Sequence, residues 1–122
     1  MRNKLIISYR TPDQALDKFE ENYHKIKDGK MIEPHFEIGF NDRDSLSKFI
    51  KNLDVIMTIK NDKPSSVYEL AKMMGRDQSN LNKLIKFLEK IQVIELIEEK
   101  INNRIVKRPV VNYSKIEFNL AA

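Results

Sequence analysis

Residues 65–94 read SSVYELAKMMGRDQSNLNKLIKFLEKIQVI, and this stretch decides the fold. Apolar residues recur in it every three or four positions, once before Gly75 and again after Asp77, so two short helices each have one face to bury. Gly75 can take the left-handed conformation that ends a helix, and Asp77 can accept hydrogen bonds from the free amides that begin the next one. The apolar positions are Val67, Leu70, Ala71 and Met74, then Leu81, Leu84, Ile85 and Leu88. The pattern predicts two helices joined by a tight turn.

A hairpin is predicted directly after these helices. Residues 93–99 and 104–106 are strand-like, and the Asn102-Asn103 pair between them can adopt the positive φ angles of a tight turn. Pro109 is expected to limit ladder pairing beyond that point. Two short helices followed by a basic hairpin are typical of a winged helix-turn-helix, so we predict an α+β protein of that kind that binds DNA.

The chain before residue 41 is predicted to form a strand, a helix and a second strand. Residues 4–9, KLIISY, are rich in apolar and β-branched side chains, and residues 35–40, HFEIGF, alternate with period two. Between them a helix is expected to begin at Thr11, with Pro12 in its first turn, and to end at Gly29. The two strands can pair in parallel or with other partners, and the pattern leaves that choice open.

One further helix is predicted between the capping residues 41–44 and about Lys60. A polar loop ending at the capping residue Ser65 follows it. The apolar side of this helix comprises Leu46, Phe49, Ile50, Leu53, Ile56 and Met57. It should form the base on which the two shorter helices pack.

The C-terminal residues predict a last strand, in which Ile116, Phe118 and Leu120 alternate with polar residues. Its expected partner is the N-terminal strand of the same chain or of a second copy. We therefore predict a strand-helix-strand extension over residues 1–40, serving dimerisation, and a winged helix-turn-helix domain with a C-terminal strand over residues 41–122.

The predicted recognition helix, about residues 77–90, has a polar outer side. Amides and cations can bond base edges in the major groove, and cations can also hold phosphates. We expect Gln78, Ser79 and Asn82 nearest the bases and Lys83 and Lys86 on phosphate. A polar outer face is also what any amphipathic helix at a protein surface carries.

The predicted wing, about residues 93–108, has its cations close to the turn, where they can reach the DNA backbone or the minor groove. The candidate contacts are Lys100, Asn102, Asn103, Arg104, Lys107 and Arg108. The alternative is that these cations protect a strand edge from aggregation. Three acidic residues nearby, Glu95, Glu98 and Glu99, would repel phosphate and must point elsewhere if the wing binds DNA.

Charge is distributed unevenly along the 122 residues, whose net charge is +4. Residues 1–44 hold 8 basic and 9 acidic side chains, a net of −1, whereas residues 45–122 hold 14 and 9, a net of +5. The positive half is the one that contains the predicted helix-turn-helix, which suits a polyanionic partner. The absence of cysteine agrees with a reducing compartment, and no apolar run is long enough for a membrane span, so a cytoplasmic protein is expected.

Groups that suit catalysis are sparse. His24 and His35 are the only histidines, and neither lies in a metal-binding spacing. The three glycines are scattered and form no phosphate-binding loop. We therefore expect no enzyme activity, no metal and no cofactor.

The segment ELAKMMGRDQSNLNKLIKFLEKIQVIEL resembles the pattern ELAxxxGRDxxNVxxxxKxLExxGLIE. That pattern belongs to a family of predicted winged-helix transcriptional regulators of bacteria and archaea, related in fold to MarR- and ArsR-like proteins. The matching positions are Gly75, Arg76, Asp77, Asn80, Lys86, Leu88 and Glu89. QALDKFE near the N-terminus and IEFNLAA at the end also resemble the family. Gln92 stands where the family has glycine, and NDRDSLSKFIKNLDVIMTI replaces its usual TPxRxxLLxxI.

The resemblance implies a protein that binds double-stranded DNA and regulates transcription. We expect a homodimer, because small helix-turn-helix proteins gain affinity and specificity by reading paired half-sites and because the terminal strands offer edges for pairing. The resemblance adds Arg76 and Asn80 as residues that can contact phosphate, while pairing of Arg76 with Asp77 could instead order the turn. Some members of the family resemble antitoxins, which implies autoregulation and a toxin-like protein partner. The alternative function is therefore a protein-interaction module whose winged helix serves as a docking surface.

Overall fold

The structure, a computed structural model, describes residues 4–9 and 35–120. This part of the chain contains four helices and five strands, which confirms the mixed α+β class. In chain order they are β1 (Lys4–Tyr9), β2 (His35–Phe40), α1 (Arg43–Lys51), α2 (Leu53–Asp62), α3 (Val67–Met74), α4 (Gln78–Lys90), β3 (Glu95–Ile101), β4 (Arg104–Val110) and β5 (Lys115–Asn119). None of these helices is long and apolar enough to cross a membrane. The helix predicted from Thr11 lies outside the described residues.

β1 is the central strand of a three-stranded parallel sheet with the order β2-β1-β5. The ladder begins at Lys4, which lies opposite His35 and Lys115. The predicted strands at residues 4–9 and 35–40 are confirmed, and they pair with each other. The predicted last strand is also confirmed, and its partner is the N-terminal strand of the same chain.

One face of this sheet carries most of its apolar side chains, because side chains alternate between the two faces of a strand. Leu5 and Ile7 are buried on that face, and so is Phe40 in the neighbouring strand. Phe36 stacks on Tyr113, with ring centroids 6.3 Å apart and planes 18° from parallel. The segment just before β5 is thereby held against β2.

The single helix predicted up to about Lys60 is wrong, because the structure divides it into α1 and α2 at Asn52. The backbone of Asn52 leaves the helical region, with φ −117° and ψ 23°. Its side-chain Oδ1 accepts hydrogen bonds from Nη1 and Nη2 of Arg76, each at 3.3 Å. Asparagine readily exchanges helical geometry for bonds made by its side chain, and here the partner lies 24 residues away.

The break changes which apolar residues are buried. Phe49 and Ile56 are buried as predicted, but Ile50 is 45% exposed and Met57 is 60% exposed. Val55 is fully buried, and so is Ile59 on the same helix. A single helical repeat continued across Asn52 therefore predicts the wrong buried face for part of α2.

α3 begins one residue later than predicted. Ser66 is the capping residue, since its hydroxyl accepts a hydrogen bond from the backbone amide of Glu69 at 3.1 Å. Ser65, the predicted cap, instead donates its hydroxyl to Oε2 of Glu69 at 2.5 Å. The predicted apolar face is confirmed at Leu70 and Ala71, which are buried.

β3 and β4 form the predicted hairpin. Asn102 and Asn103 both have positive φ, at 51° and 65°, as a two-residue turn of this kind requires. The expectation that Pro109 would limit pairing is wrong, because β4 continues to Val110 with Pro109 fully buried opposite Leu96. In a two-stranded sheet each strand has an open edge, on which the missing N–H of proline costs no ladder bond.

The chain divides into two compact units, with the division near the end of α1. One is built on the parallel sheet, from the described residues up to Lys48 and from Tyr113 onward. The other is residues 49–112, with α2, α3, α4 and the hairpin. Within it, β4 contacts α2 and α3, and Nζ of Lys60 donates to the carbonyl of Val111 at 3.2 Å. The predicted roles of residues 1–40 and 41–122 as dimerisation and DNA-binding domains stay predictions.

Candidate functional site

The turn between α3 and α4 is built as its residues predict. Gly75 has φ 62° and ψ 36°, and its N–H donates to the carbonyls of Ala71 and Lys72 at the end of α3. Asp77 caps α4, because its Oδ2 accepts from the backbone amide of Asn80 at 2.9 Å. These local bonds set the direction in which α4 leaves the turn.

α4 has a sharply divided surface. Its predicted inner residues are all buried, with at most 4% of each exposed. They are Leu81, Leu84, Ile85 and Leu88. On the opposite side lie four exposed residues spaced three or four apart, which we name the outer stripe: Ser79, Lys83, Lys86 and Lys90. A rise of about 1.5 Å per residue spreads the stripe over roughly 16 Å.

The other predicted contacts on α4 flank the outer stripe. Gln78 and Asn80 are exposed, whereas Asn82 is half-buried. Lys90 is absent from the sequence-based set, although its place four residues after Lys86 puts it on the same side of the helix. Helical periodicity alone was therefore enough to find it.

Arg76 is set apart from the outer stripe by its bonds. Its guanidinium is half-buried and donates to Asn52, while Asp77 next to it caps α4. The two neighbouring side chains thus serve different partners. Arg76 ties the turn to the break between α1 and α2, which is a positioning role for the start of α4.

The hairpin divides its four cations between its two faces. Residues directly opposite each other in an antiparallel ladder share a face. Arg104 and Arg108 are four positions apart on β4, so their side chains lie on the same face of the hairpin. That face also carries Ile101, which lies opposite Arg104, and the pair formed by Glu99 and Val106. Lys100 and Lys107 occupy the other. The predicted wing contacts therefore do not form one group.

Acidic residues neutralise the base of the hairpin more than its tip. Nε of Arg108 donates to Oε1 of Glu99 at 2.8 Å, and both side chains are about one-third exposed. Glu98 lies opposite Lys107 on the other face. Lys100 and Arg104, next to the exposed turn, are thus the hairpin cations best placed to meet an anion.

No group of three or more His, Cys, Asp or Glu side chains in the described ranges could hold a metal ion. His24 lies outside those ranges, and His35 stands at the start of β2. The arrangement on α4 and the hairpin offers hydrogen-bond donors and positive charge, which are properties of a surface that binds anions.

The surface on α4 and the hairpin lies in the part of the chain that matches a family of known proteins. The profile of the HVO_A0114 family matches residues 50–118, which are more than half of the chain. This protein belongs to the HVO_A0114 family. The matched region of this HVO_A0114 member holds α2, α3, α4, the hairpin and most of β5. No curated protein and no solved structure was found to match the chain.

Proposed function

We propose that this HVO_A0114 protein is a homodimeric transcriptional regulator with a winged helix-turn-helix that binds duplex DNA. The observation that carries the proposal is the outer stripe, with three lysines and a serine directly opposite the buried face of α4. A helix that fits the major groove needs such a strip of donors, held rigidly by apolar residues beneath it. The order of two helices, a tight turn and a basic hairpin supports the winged helix-turn-helix assignment, as does the sequence resemblance to winged-helix regulators.

The residues of α4 take different roles in this proposal. Gln78, Ser79 and Asn82 lie in its first turns, where side chains of a recognition helix reach base edges. Lys83, Lys86 and Lys90 follow along the helix and hold phosphates, which provide affinity without reading sequence.

The hairpin acts as the wing, with Lys100 and Arg104 beside its turn. Both are exposed, as are Asn102 and Asn103 in the turn. The bond from Arg108 to Glu99 makes Arg108 a poorer phosphate ligand, because that carboxylate already compensates its charge. We therefore propose that the wing contacts the DNA through the cations at the tip of the hairpin, Lys100 and Arg104.

The test is a titration of the protein into labelled duplex DNA from its own upstream region, across a salt series. A scrambled duplex of equal length is the matched control. Binding should weaken steeply with salt, with a slope of about 0.9 per phosphate contact. The upstream duplex should bind more tightly than the scrambled one at each salt concentration. Equal affinity for the two would contradict sequence-specific regulation, and no binding to either would contradict DNA binding altogether.

A second candidate function is a docking module for another protein, and exposed apolar residues on the hairpin favour it. Ile105 is 72% exposed, and Ile97 and Ile101 are each more than one-third exposed. A protein bound through such residues should stay bound in high salt, which would release DNA. Co-purification of the product of a neighbouring gene in high salt would support this function, and its loss after Ile105→Lys would locate the contact.

A further inference from the structure

β5 ends the sheet order, so among the described residues no strand lies along its outer edge. An edge of this kind presents backbone donors and acceptors that a further strand can use. β5 contains no proline and no bulge, which are common protections of an edge, and its charged residues are Lys115 and Glu117. Within the part of the chain that the structure describes, this edge is therefore open to strand addition.

The other edge, β2, differs in how far its apolar side chains are covered. Phe40 is buried and Phe36 stacks on Tyr113 within the chain. By contrast, Phe118 in β5 is 39% exposed, and Leu120 just after it is 97% exposed. Apolar surface thus remains along β5 that a strand pairing with it would cover.

The sequence of this edge is self-complementary. Residues 116–120 read IEFNL, with apolar residues at both ends, polar residues inside them and Phe118 at the centre. Antiparallel pairing about Phe118 sets each Phe118 against its counterpart, Ile116 against Leu120, and Glu117 against Asn119. Every pair then joins like with like, and no two equal charges meet.

Other registers fit less well. Centring on Asn119 sets Phe118 against Leu120 but leaves Ile116 without a partner within IEFNL. Centring on Glu117 opposes two glutamates, which is destabilising. Centring on Ile116 opposes Lys115 and Glu117, but an exposed ion pair contributes little and Leu120 stays exposed. A register whose centre lies between two residues pairs apolar with charged side chains, because residues directly opposite each other lie on the same face of the sheet. Aromatic and aliphatic cross-strand pairs favour the register centred on Phe118.

We propose that two copies of this protein join through antiparallel β5 strands centred on Phe118, so that two three-stranded sheets become one. The partner is thus a second copy, bound by backbone hydrogen bonds and by the apolar side chains of IEFNL. This interface would be the one through which the homodimer of the proposed function forms. Only its biological role rests on that proposed function.

The first test uses single cysteines, because the chain has none of its own. Residues directly opposed in an antiparallel pair have Cα atoms about 4.5–5.5 Å apart, within the range of a disulfide. Phe118→Cys should cross-link to a dimer under mild oxidation, without DNA. Ile116→Cys and Glu117→Cys are the matched controls and should stay largely uncross-linked. Preferential cross-linking at either control position, or at none of the three, would overturn the proposed register.

The second test measures association directly by sedimentation velocity, again without DNA. Phe118→Lys places two like charges opposite each other, so it should convert the dimer to monomer. Ile105→Lys makes the same change at an exposed residue of the hairpin and should leave the dimer intact. A wild-type monomer, or a folded Phe118→Lys variant that remains a dimer, would refute the interface. If Phe118→Lys unfolds by circular dichroism, the cysteine series decides.

Dimer formation through β5 and DNA binding by α4 can be tested independently of each other. Cross-linking at Phe118 in a protein that does not bind DNA would leave the interface standing and remove the DNA-binding function. DNA binding by a protein that does not cross-link at Phe118 would do the reverse.

Discussion

Gly75 lies between α3 and α4 and has a left-handed backbone conformation. Any other residue at this position would have a higher conformational free energy. A Cβ at this position would meet nothing within 4 Å, so the constraint comes from φ 62° and not from crowding. Gly75→Ala should therefore destabilise the protein by about 1 kcal/mol, the net of left-handed strain and reduced freedom in the unfolded chain. Thermal or urea unfolding measures the difference.

Gly39→Ala provides the control for that prediction. Its Cβ would make ordinary contact, 3.8 Å from Oγ of Ser8, and Gly39 has no positive φ. The change should be milder than Gly75→Ala. A Gly75→Ala protein as stable as wild type would contradict the role of backbone strain at the turn.

Asp42 holds the first turn of α1 through its carboxylate. The hydroxyl of Ser45 donates to it at 2.6 Å and the backbone amide of Asp44 at 3.1 Å, and these bonds, led by that from Ser45, lower the pKa of Asp42. A carboxylate with a lowered folded pKa stabilises above its unfolded pKa, about 3.9, and loses that stabilisation as the pH falls through the folded value.

Two measurements check this prediction at Asp42. The carboxyl resonance followed by NMR should titrate below the ordinary range for aspartate. Asp42→Asn keeps a capping side chain but removes the titrating group, so it should reduce the loss of stability in acid. Titration of Asp42 above the ordinary range would contradict the bonds that we describe.

At the scale of elements, the sequence predicted α4 and the turn before it almost completely. Periodicity, Gly75 and Asp77 act over a few residues, so their effect can be read locally. The break at Asn52 depends on Arg76, a partner distant in sequence, and no local pattern indicates it. Gln92 has φ 67° at the place where the resembling pattern has glycine, so that pattern did contain a correct backbone signal.

The surface of the hairpin was less predictable than its turn. The sequence predicted where Asn102 and Asn103 reverse the chain, but the faces of the cations follow from the register. The bond between Arg108 and Glu99 follows from it too, because the two residues lie on one face at diagonal positions. Cations that look equivalent in the sequence therefore differ in their surroundings.

This difference gives a prediction about the wing. Arg104→Gln should lower the salt slope of DNA binding by about 1.8, because each of the two subunits loses one phosphate contact of about 0.9. The double variant Glu99→Gln, Arg108→Gln removes an ion pair without changing net charge and should leave the slope unchanged. Both slopes are measured by fluorescence anisotropy. A fall in slope for the double variant alone would assign the contact to Arg108 and contradict the proposed tip.

For the whole molecule, the two proposed activities belong to different compact units. The outer stripe and the hairpin lie in residues 49–112, and β5 belongs to the unit that contains the parallel sheet. We therefore expect that substitutions can change the proposed DNA binding and the proposed association separately. The match to the HVO_A0114 family covers both the outer stripe and most of β5, so related chains can be tested at corresponding positions.

We propose that α4 and the tip of the hairpin bind DNA through their cations. The triple variant Lys83→Ala, Lys86→Ala, Arg104→Ala removes three of these charges. Its matched control removes three exposed cations of α1, Arg43, Lys48 and Lys51, by the same change to alanine. Circular dichroism should first establish that both proteins are folded.

The most direct measurement is the slope of log affinity against log salt for these proteins on the upstream duplex. The triple variant should bind more weakly than wild type at every salt concentration, with a slope reduced by about 5, because three phosphate contacts of about 0.9 each are lost in each of two subunits. The control should keep the wild-type slope. An unchanged slope in the triple variant, or an equal loss in the control, would contradict the account.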